Sequence, residues 1–432
     1  MKRQISLTVH LALALAVALP GAPPASAAAP APFQTYAVTD LGTLGGPNSF
    51  ALDIDAAGQI VGVAETATHT QRPFLYSNGV MSDLGTLGGC CGLASSLNAS
   101  GQIVGQADTT DGNRRAFLYS NGVMTDLGTL GGPDSRAFDN NDAGHIVGIS
   151  RPFGSGFQHA FLYSGGVMTD LGTLPGGNTS YANGINASGQ IAGWSGPGTG
   201  ISQAHAYLYS NGVMADLGTL GGSRSVAYEL NDSGRVVGWS DLTGDGSFHS
   251  FLYSNGAMTD LGTLGGDFSL ATGINACGQV VGWSHTANAS QNAFLYSGGV
   301  MTDLNDLIPA DSGWELTYAA AIKAGGQIVG WGVINSQTHA FLLTPRSLSQ
   351  LIDDLIALVQ SFNLPPGIEN SLIVKLQNAQ SALARGDTTA ALNLLDAFIN
   401  HVDAQAGKAL TIAQANQLIA GANQIKTAPG CH

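Results

Sequence analysis

Through most of its length the chain alternates apolar and polar positions in short runs that stop at Gly, Asn, Asp or Ser, which is the pattern of β-strands joined by tight turns. The runs recur in register. Asp-Leu-Gly-Thr-Leu begins at Asp40, Asp83, Asp126, Asp170, Asp216 and Asp260, a degenerate copy begins at Asp303, and successive copies lie 43 to 46 residues apart. Gly-Gln-Ile-Val-Gly or a close variant starts at Gly58, Gly101, Gly144, Gly189, Gly234, Gly278 and Gly326. Phe-Leu-Tyr-Ser or its variant starts at Phe74, Phe117, Phe161, Tyr207, Phe251, Phe294 and Phe341.

Each repeat holds four β-prone runs, here called a, b, c and d. In the fourth repeat they are residues 181–186, 190–195, 206–210 and 213–217. Runs a and b meet at Asn186-Ala187-Ser188-Gly189, a turn composition, and c and d meet at Asn211-Gly212, a strong hairpin signal. Four strands on this period predict an all-β seven-bladed β-propeller over residues 33–345. A β-helix accommodates four dissimilar strands per repeat poorly. The first d run, residues 35–41, has no preceding c run, and the last c run, residues 339–344, has no following d run. Pairing these orphans would join the chain ends and remove two open strand edges.

After Pro345 the periodicity changes from two to about 3.6. Leu348, Leu351, Ile352, Leu355, Ile356 and Val359 form a helical stripe, and Pro365-Pro366-Gly367 should end it. A second helix is expected from about Glu369 to Ala384. A third starts near Asp387 and carries Leu392, Leu395, Phe398, Ile399 and Val402, and Thr411 caps a fourth that ends near Lys426. Residues 346–430 therefore read as a small C-terminal all-α bundle.

The N-terminus begins Met1-Lys2-Arg3, continues with an apolar run to Leu19, and reaches Ala25-Ser26-Ala27, so residues 1–29 read as a cleaved signal peptide and the mature protein as secreted. The apolar run is too short to span a bilayer. A net charge of −14 opposes capture of nucleic acid or anionic lipid, each of which needs a basic footprint. Charged residues are only 10% of the chain and Gly reaches 60, which fits a strand-and-turn body. The expectation is a monomer with no membrane span and no nucleic-acid partner.

Export makes the four cysteines disulfide candidates, but Cys90 and Cys91 are adjacent, and a bridge between neighbours is strained. Cys90 is assigned to a d-to-a loop and Cys277 to an a-to-b turn, at opposite ends of the strands, about 15 Å or more apart, so these two should not pair.

The recurring Thr-Asp-Leu-Gly-Thr-Leu-Gly-Gly, Gly-Gln-Ile-Val-Gly-Trp-Ser and His-Ala-Phe-Leu-Tyr-Ser, the last seen at His159-Ala160-Phe161 and His339-Ala340-Phe341, resemble the HAF family of bacterial extracellular repeats over residues 35–344. The tail, with residues 397–402 (Ala-Phe-Ile-Asn-His-Val) and Ala406-Gly407-Lys408, resembles a FIMAH domain, a helical module of extracellular bacterial proteins. Both resemblances imply export and neither implies a reaction.

Two columns of polar residues invite a chemical reading. Arg72, Arg115, His159, His205, His249, Asn292 and His339 precede the apolar core of run c, but on separate blades they cannot converge on one ion. The Asp column from Asp40 to Asp303 is equally dispersed and fits turn hydrogen bonding. Asp53 and Asp55 lack the spacing of a calcium loop. The triplets at Asn98 and Asn186 coincide with a-to-b turns. A third such triplet stands at Asn288. No catalytic set, metal site or cofactor motif is assigned.

Variation is concentrated in the b-to-c connections, which share one end of the strands with the d-to-a loops. Trp194, Trp239, Trp283 and Trp331 end run b beside them, where the first three repeats carry Val63, Gln106 and Ile149. These four rings are the candidate ligand-binding residues, stacking on a carbohydrate or an extended chain, with an extracellular protein as the other candidate partner; the competing reading, which the residues favour, packs them between blades. The functional expectation is a secreted non-enzymatic binding or scaffold protein with a docking tail. The alternative is a propeller-based polysaccharide lyase or hydrolase.

Overall fold

The computed structural model describes residues 35–426 of the chain. The expected signal peptide and Cys431 lie outside them. The described chain is mostly β, in four-stranded antiparallel sheets, followed by four helices.

The fourth repeat shows the unit. Thr179–Ile185, Ile191–Gly196, His205–Ser210 and Val213–Asp216 pair in chain order as strands a to d. Asn211 and Gly212 both take positive φ, 52° and 82°, as the primed hairpin turn between c and d requires. The closing glycine of Gly-Gln-Ile-Val-Gly also has a steric reason. A Cβ on Gly62 would collide with the Phe50 carbonyl, and the Phe74 ring of strand c lies across the same spot. That absence of a side chain makes room for the c-strand phenylalanines, of which Phe74, Phe117, Phe161, Phe251, Phe294 and Phe341 are all fully buried. Replacing any one by Ala should cost about 3–5 kcal/mol.

The first three repeats build the same four-stranded sheet. Those of the fifth and sixth repeats are linked by a single parallel bridge, Phe248 to Phe268. The last sheet consists of Glu315–Ile322, Ile328–Ile334, Gln337–Pro345 and, on its edge, the N-terminal strand Tyr36–Asp40. The register runs antiparallel from Tyr36 opposite Pro345 to Asp40 opposite Phe341, so the two orphan runs do pair. Tyr36 is fully buried there with Phe341 and Leu343.

Neighbouring sheets are tied by repeated hydrogen bonds. The amides of Ala116, Ala160, Ala206 and Ser250 donate to the hydroxyls of Ser135, Ser180, Ser225 and Ser269 in the next sheet. The amide of Ala340 makes the same bond, at 2.9 Å, to Ser49 of the first repeat. A second series runs through the a-to-b turns. The side-chain amide of Asn98 donates to the carbonyl of Asn141, Asn141 to Asn186, Asn186 to Asn231, Asn231 to Asn275 and Asn275 to Lys323. Turn chemistry thus explains only half of each asparagine. The Oδ1 atom caps its own turn and Nδ2 reaches the next.

Cys90 and Cys91 lie in strand Gly88–Leu97, not in a loop, and they are bonded to each other. Strand pairing is irregular between Gly88 and Gly92, as it is between Gly45 and Ser49 and between Gly131 and Ser135. This interruption, built into the repeat, relieves the opposite-face orientation that makes a bridge between neighbours difficult in a regular strand. Cys90 therefore does not pair with Cys277.

Helices α1 (Leu348–Ser361), α2 (Pro366–Ala384), α3 (Thr388–Gln405) and α4 (Ile412–Lys426) enclose their own core around Leu355, Leu376, Phe398 and Leu418. Ser347 opens α1 with a reciprocal capping box to Gln350. Helix α2 begins at Pro366, earlier than expected, because proline presets φ for a first turn and so starts this helix as well as ending the last one. Among the described residues no helix is long and apolar enough to cross a membrane.

Candidate functional site

The expected row of four free tryptophans is not what folding produces. Strand a places a residue directly opposite each indole: Tyr181 opposite Trp194, Val226 opposite Trp239, Leu270 opposite Trp283 and Tyr318 opposite Trp331. Trp194 is 1% exposed and stacks on Tyr181 at 4.3 Å, and Trp331 is 8% exposed and stacks on Tyr318 at 3.9 Å. Trp239 is 5% exposed and joins Trp194 in one core cluster. Three of the four rings are therefore interior packing, since cross-strand partners at the same level cover them.

Trp283 differs. It is half-buried and belongs to a run of half-buried rings where the fifth and sixth repeats meet. Phe248 lies 4.8 Å from Phe268 and 6.0 Å from Trp283, while His285 lies 5.3 Å from Phe268 and 5.4 Å from Trp283. Burial lowers the His285 pKa, which favours the neutral ring. These residues stand at the starts of strands a and c and the end of strand b, the end that carries the variable connections. An apolar, partly open aromatic surface of this kind can stack on the C–H face of a sugar ring. Phe248, Phe268 and His285 vary between repeats, and that variation, not the recurrent tryptophan, was the available signal.

The His and Asp columns meet each other, which neither column indicates alone. Nδ1 of His159 is 2.8 Å from Asp170, that of His205 is 2.7 Å from Asp216, and that of His249 is 2.9 Å from Asp260. Asn292 takes the same role with Asp303, at 2.5 Å, and His339 reaches Asp40. The other carboxylate oxygen accepts the amide two residues on, as at Gly172, Gly218 and Gly262. Each pair latches strand c to strand d, and the pairs remain dispersed.

A converging polar group does exist on the a strands. The hydroxyl of Ser96 is 2.9 Å from Asp53 and 2.7 Å from Asp139. One hydroxyl has one proton, so bonds to both carboxyls need a proton on one of them. Burial, with Asp53 adding to it, pushes the Asp139 pKa up to about 6 against the opposing amide of Ile185. Glu229 is held well above the usual carboxylate range by burial and by Asp139. Lys323 lies 3.5 Å from Asp53. Burial works against its charge, but Asp53, Asp139 and Glu229 outweigh this and raise its pKa. Aligning the repeats puts Asp53, Ser96, Asp139 and Glu229 in one column with Gly184, Gly273 and Ala321. Carboxylates at a position otherwise held by small residues are the clue that testing Asp53 only against calcium-loop spacing overlooked.

Among the described residues the one set with metal-ligand spacing is Cys90, Cys91 and Asp108. Both sulfurs there are already bonded to each other.

Comparison of the full sequence with curated proteins returns no match. Among solved structures, the chain is similar to TolB from Acinetobacter baumannii, at 12% identity and a TM-score of 0.37, covering 68% of this chain and 65% of that one. A puromycin-hydrolyzing peptidase of Mycobacterium tuberculosis aligns at 10% identity and a TM-score of 0.46, over 73% of this chain and 55% of the peptidase. The Aleuria aurantia lectin aligns at 13% identity and a TM-score of 0.34, over 60% of this chain and 96% of the lectin. The chain thus spans less than two thirds of the length of the first two. Among protein families, the C-terminal helices match at residues 346–427, and this part of the chain is a FIMAH domain.

Proposed function

We propose that the protein is an exported, monomeric binding or scaffold protein whose repeats are of HAF type and close as a seven-bladed β-propeller, with the FIMAH domain serving as a docking module. Counting the bridged sheets of the fifth and sixth repeats as two blades gives seven. The edge position of Tyr36–Asp40 and the bond from Ala340 to Ser49 support closure. The ligand is a carbohydrate of the extracellular space, met by the end that carries the variable connections.

The observation that carries this reading is the open aromatic run of Phe248, Phe268, Trp283 and His285. Stacking on a sugar needs partly exposed rings on a rigid frame, and these four sit on strand ends. Glycan-array screening of the mature chain, followed by titration of the best ligand, tests it. The double substitution Trp283→Ala and Phe268→Ala should weaken binding at least about tenfold while the chain stays folded. Unchanged affinity in a folded double variant removes the aromatic site.

The enzyme reading, a polysaccharide lyase or hydrolase, is favoured by one observation, the pairing of Asp53 and Asp139 through Ser96 beside Glu229 and Lys323. It requires turnover of a polysaccharide, an activity limb near pH 6, and loss of turnover in Asp139→Asn. Binding without turnover by the folded chain excludes it for the glycans tested.

A further inference from the structure

The third repeat departs from its siblings at one position. Where strand a of the other repeats carries Phe50, Leu93, Tyr181, Val226, Leu270 or Tyr318 opposite strand b, the third carries Arg136, opposite Ile149. The side chain is half-buried, and its Nε is shielded from solvent with no acceptor. Among the described residues Arg136 has no hydrogen bond and no ion pair. Its basic neighbours are differently placed, because Arg114 lies 3.0 Å from Asp108 and Arg151 lies 3.3 Å from Asp134. Burial, then the nearby charge of Arg114, lowers the Arg136 pKa, and Asp134 and Tyr181 offset this only in part.

A half-buried guanidinium that touches no acceptor, with other guanidinium groups around it and Asp134 near but engaged with Arg151, is electrostatically incomplete, and a small anion would complete it. Its planar fork matches a carboxylate. Tyr181, one of the groups acting on Arg136, stacks with Phe138 and Trp194, so buried apolar rings adjoin the charge and limit its solvation. The chain as a whole carries −14, which repels densely charged polymers. An anion reaching Arg136 must therefore be isolated within a largely neutral molecule.

We propose that Arg136 recognises the carboxylate of a single uronic-acid unit within an otherwise neutral saccharide. This rests on the glycan-binding reading and narrows its ligand class.

The test uses short oligosaccharides containing one glucuronate, each paired with its carboxyl-reduced counterpart, titrated into the mature chain and its Arg136→Met and Arg136→Lys variants. In the wild type the acidic form should bind at least about tenfold more tightly than the reduced form. Arg136→Met should bind both at the weaker level, and Arg136→Lys should recover part of the preference. Without ligand, Arg136→Met should melt no lower than the wild type, because it removes an uncompensated charge; a fall of several degrees makes Arg136 a structural residue and overturns the proposal. So does a preference for the acid that survives Arg136→Met. Equal binding of both forms by the wild type overturns the proposal and leaves glycan binding standing. Binding of neither form, with neutral glycans also inactive on the array, overturns both.

Discussion

The imidazole of His339 and the carboxylate of Asp40 meet at 2.9 Å across a sequence separation of 299 residues, in the arrangement that elsewhere joins neighbours 11 apart. The latch is local everywhere except here, where it fastens the first strand to the last.

The pairing of these two strands depends more on what is buried beneath that latch than on the latch. His339→Ala removes a partly exposed pair and should cost no more than about 1 kcal/mol. Tyr36→Ala empties a fully buried site and frees the carbonyl of Gly326 from its hydroxyl, so a loss of about 3–5 kcal/mol is expected. Urea unfolding of the two variants measures the difference, and equal effects would contradict this account of the closing sheet.

The Asp139 carboxyl should shape stability with pH. Because the folded pKa of Asp139 is raised to about 6, the folded chain binds a proton that the unfolded chain, near 4, has released. The favourable contribution is complete below about pH 4, shrinks between 4 and 6, and is gone above 6. Asp139→Asn should abolish this decline, worth about 2–3 kcal/mol, so the variant gains on the wild type as pH rises from 4 to 7. Thermal melts across that range check it, and a constant difference would refute it.

Two tryptophans at equivalent positions should behave differently. Trp194→Ala creates a cavity beside Tyr181 and should cost about 3–5 kcal/mol, whereas Trp283→Ala should cost less and fall mainly on ligand binding. Matched denaturation and glycan titration separate the two roles.

The asparagine series can be dissected at Asn186. Asn186→Ala loses both the turn cap and the reach to Asn231, for about 1–3 kcal/mol. Asn186→Asp, compared at a pH where the new carboxyl is protonated, keeps an acceptor for the turn and loses the Nδ2 bonds to Asn231 and Gln190, so its cost should be smaller. Equal losses would mean that the turn cap contributes nothing, and an Asn186→Asp variant as stable as the wild type would mean that the link contributes nothing.

Much of this architecture was legible because each repeat restates it. Strand order, the Asn211-Gly212 hairpin and the pairing of the orphan runs follow from periodic turns and alternating apolar positions. What escaped depends on side chains that meet across strands and across repeats. Trp194 and Trp331 look like open platforms until strand a supplies Tyr181 and Tyr318 opposite them. The His and Asp columns stand 11 residues apart, and only strand pairing brings them together. The converging polar group draws Asp53, Ser96, Asp139, Glu229 and Lys323 from five repeats, with no local motif to announce it. Arg136 was visible as an exception in its column, but its lack of a partner is a property of packing.

Placing Tyr36–Asp40 on the edge of the final sheet also imposes an order on biogenesis. The opening strand leaves the ribosome first, yet its partner, Gln337–Pro345, is among the last β segments synthesised. Until then Tyr36 has nothing to pack against, and the nascent body presents an unfinished strand edge to whatever chaperone escorts it. The final sheet therefore stays one strand short until translation has passed Pro345.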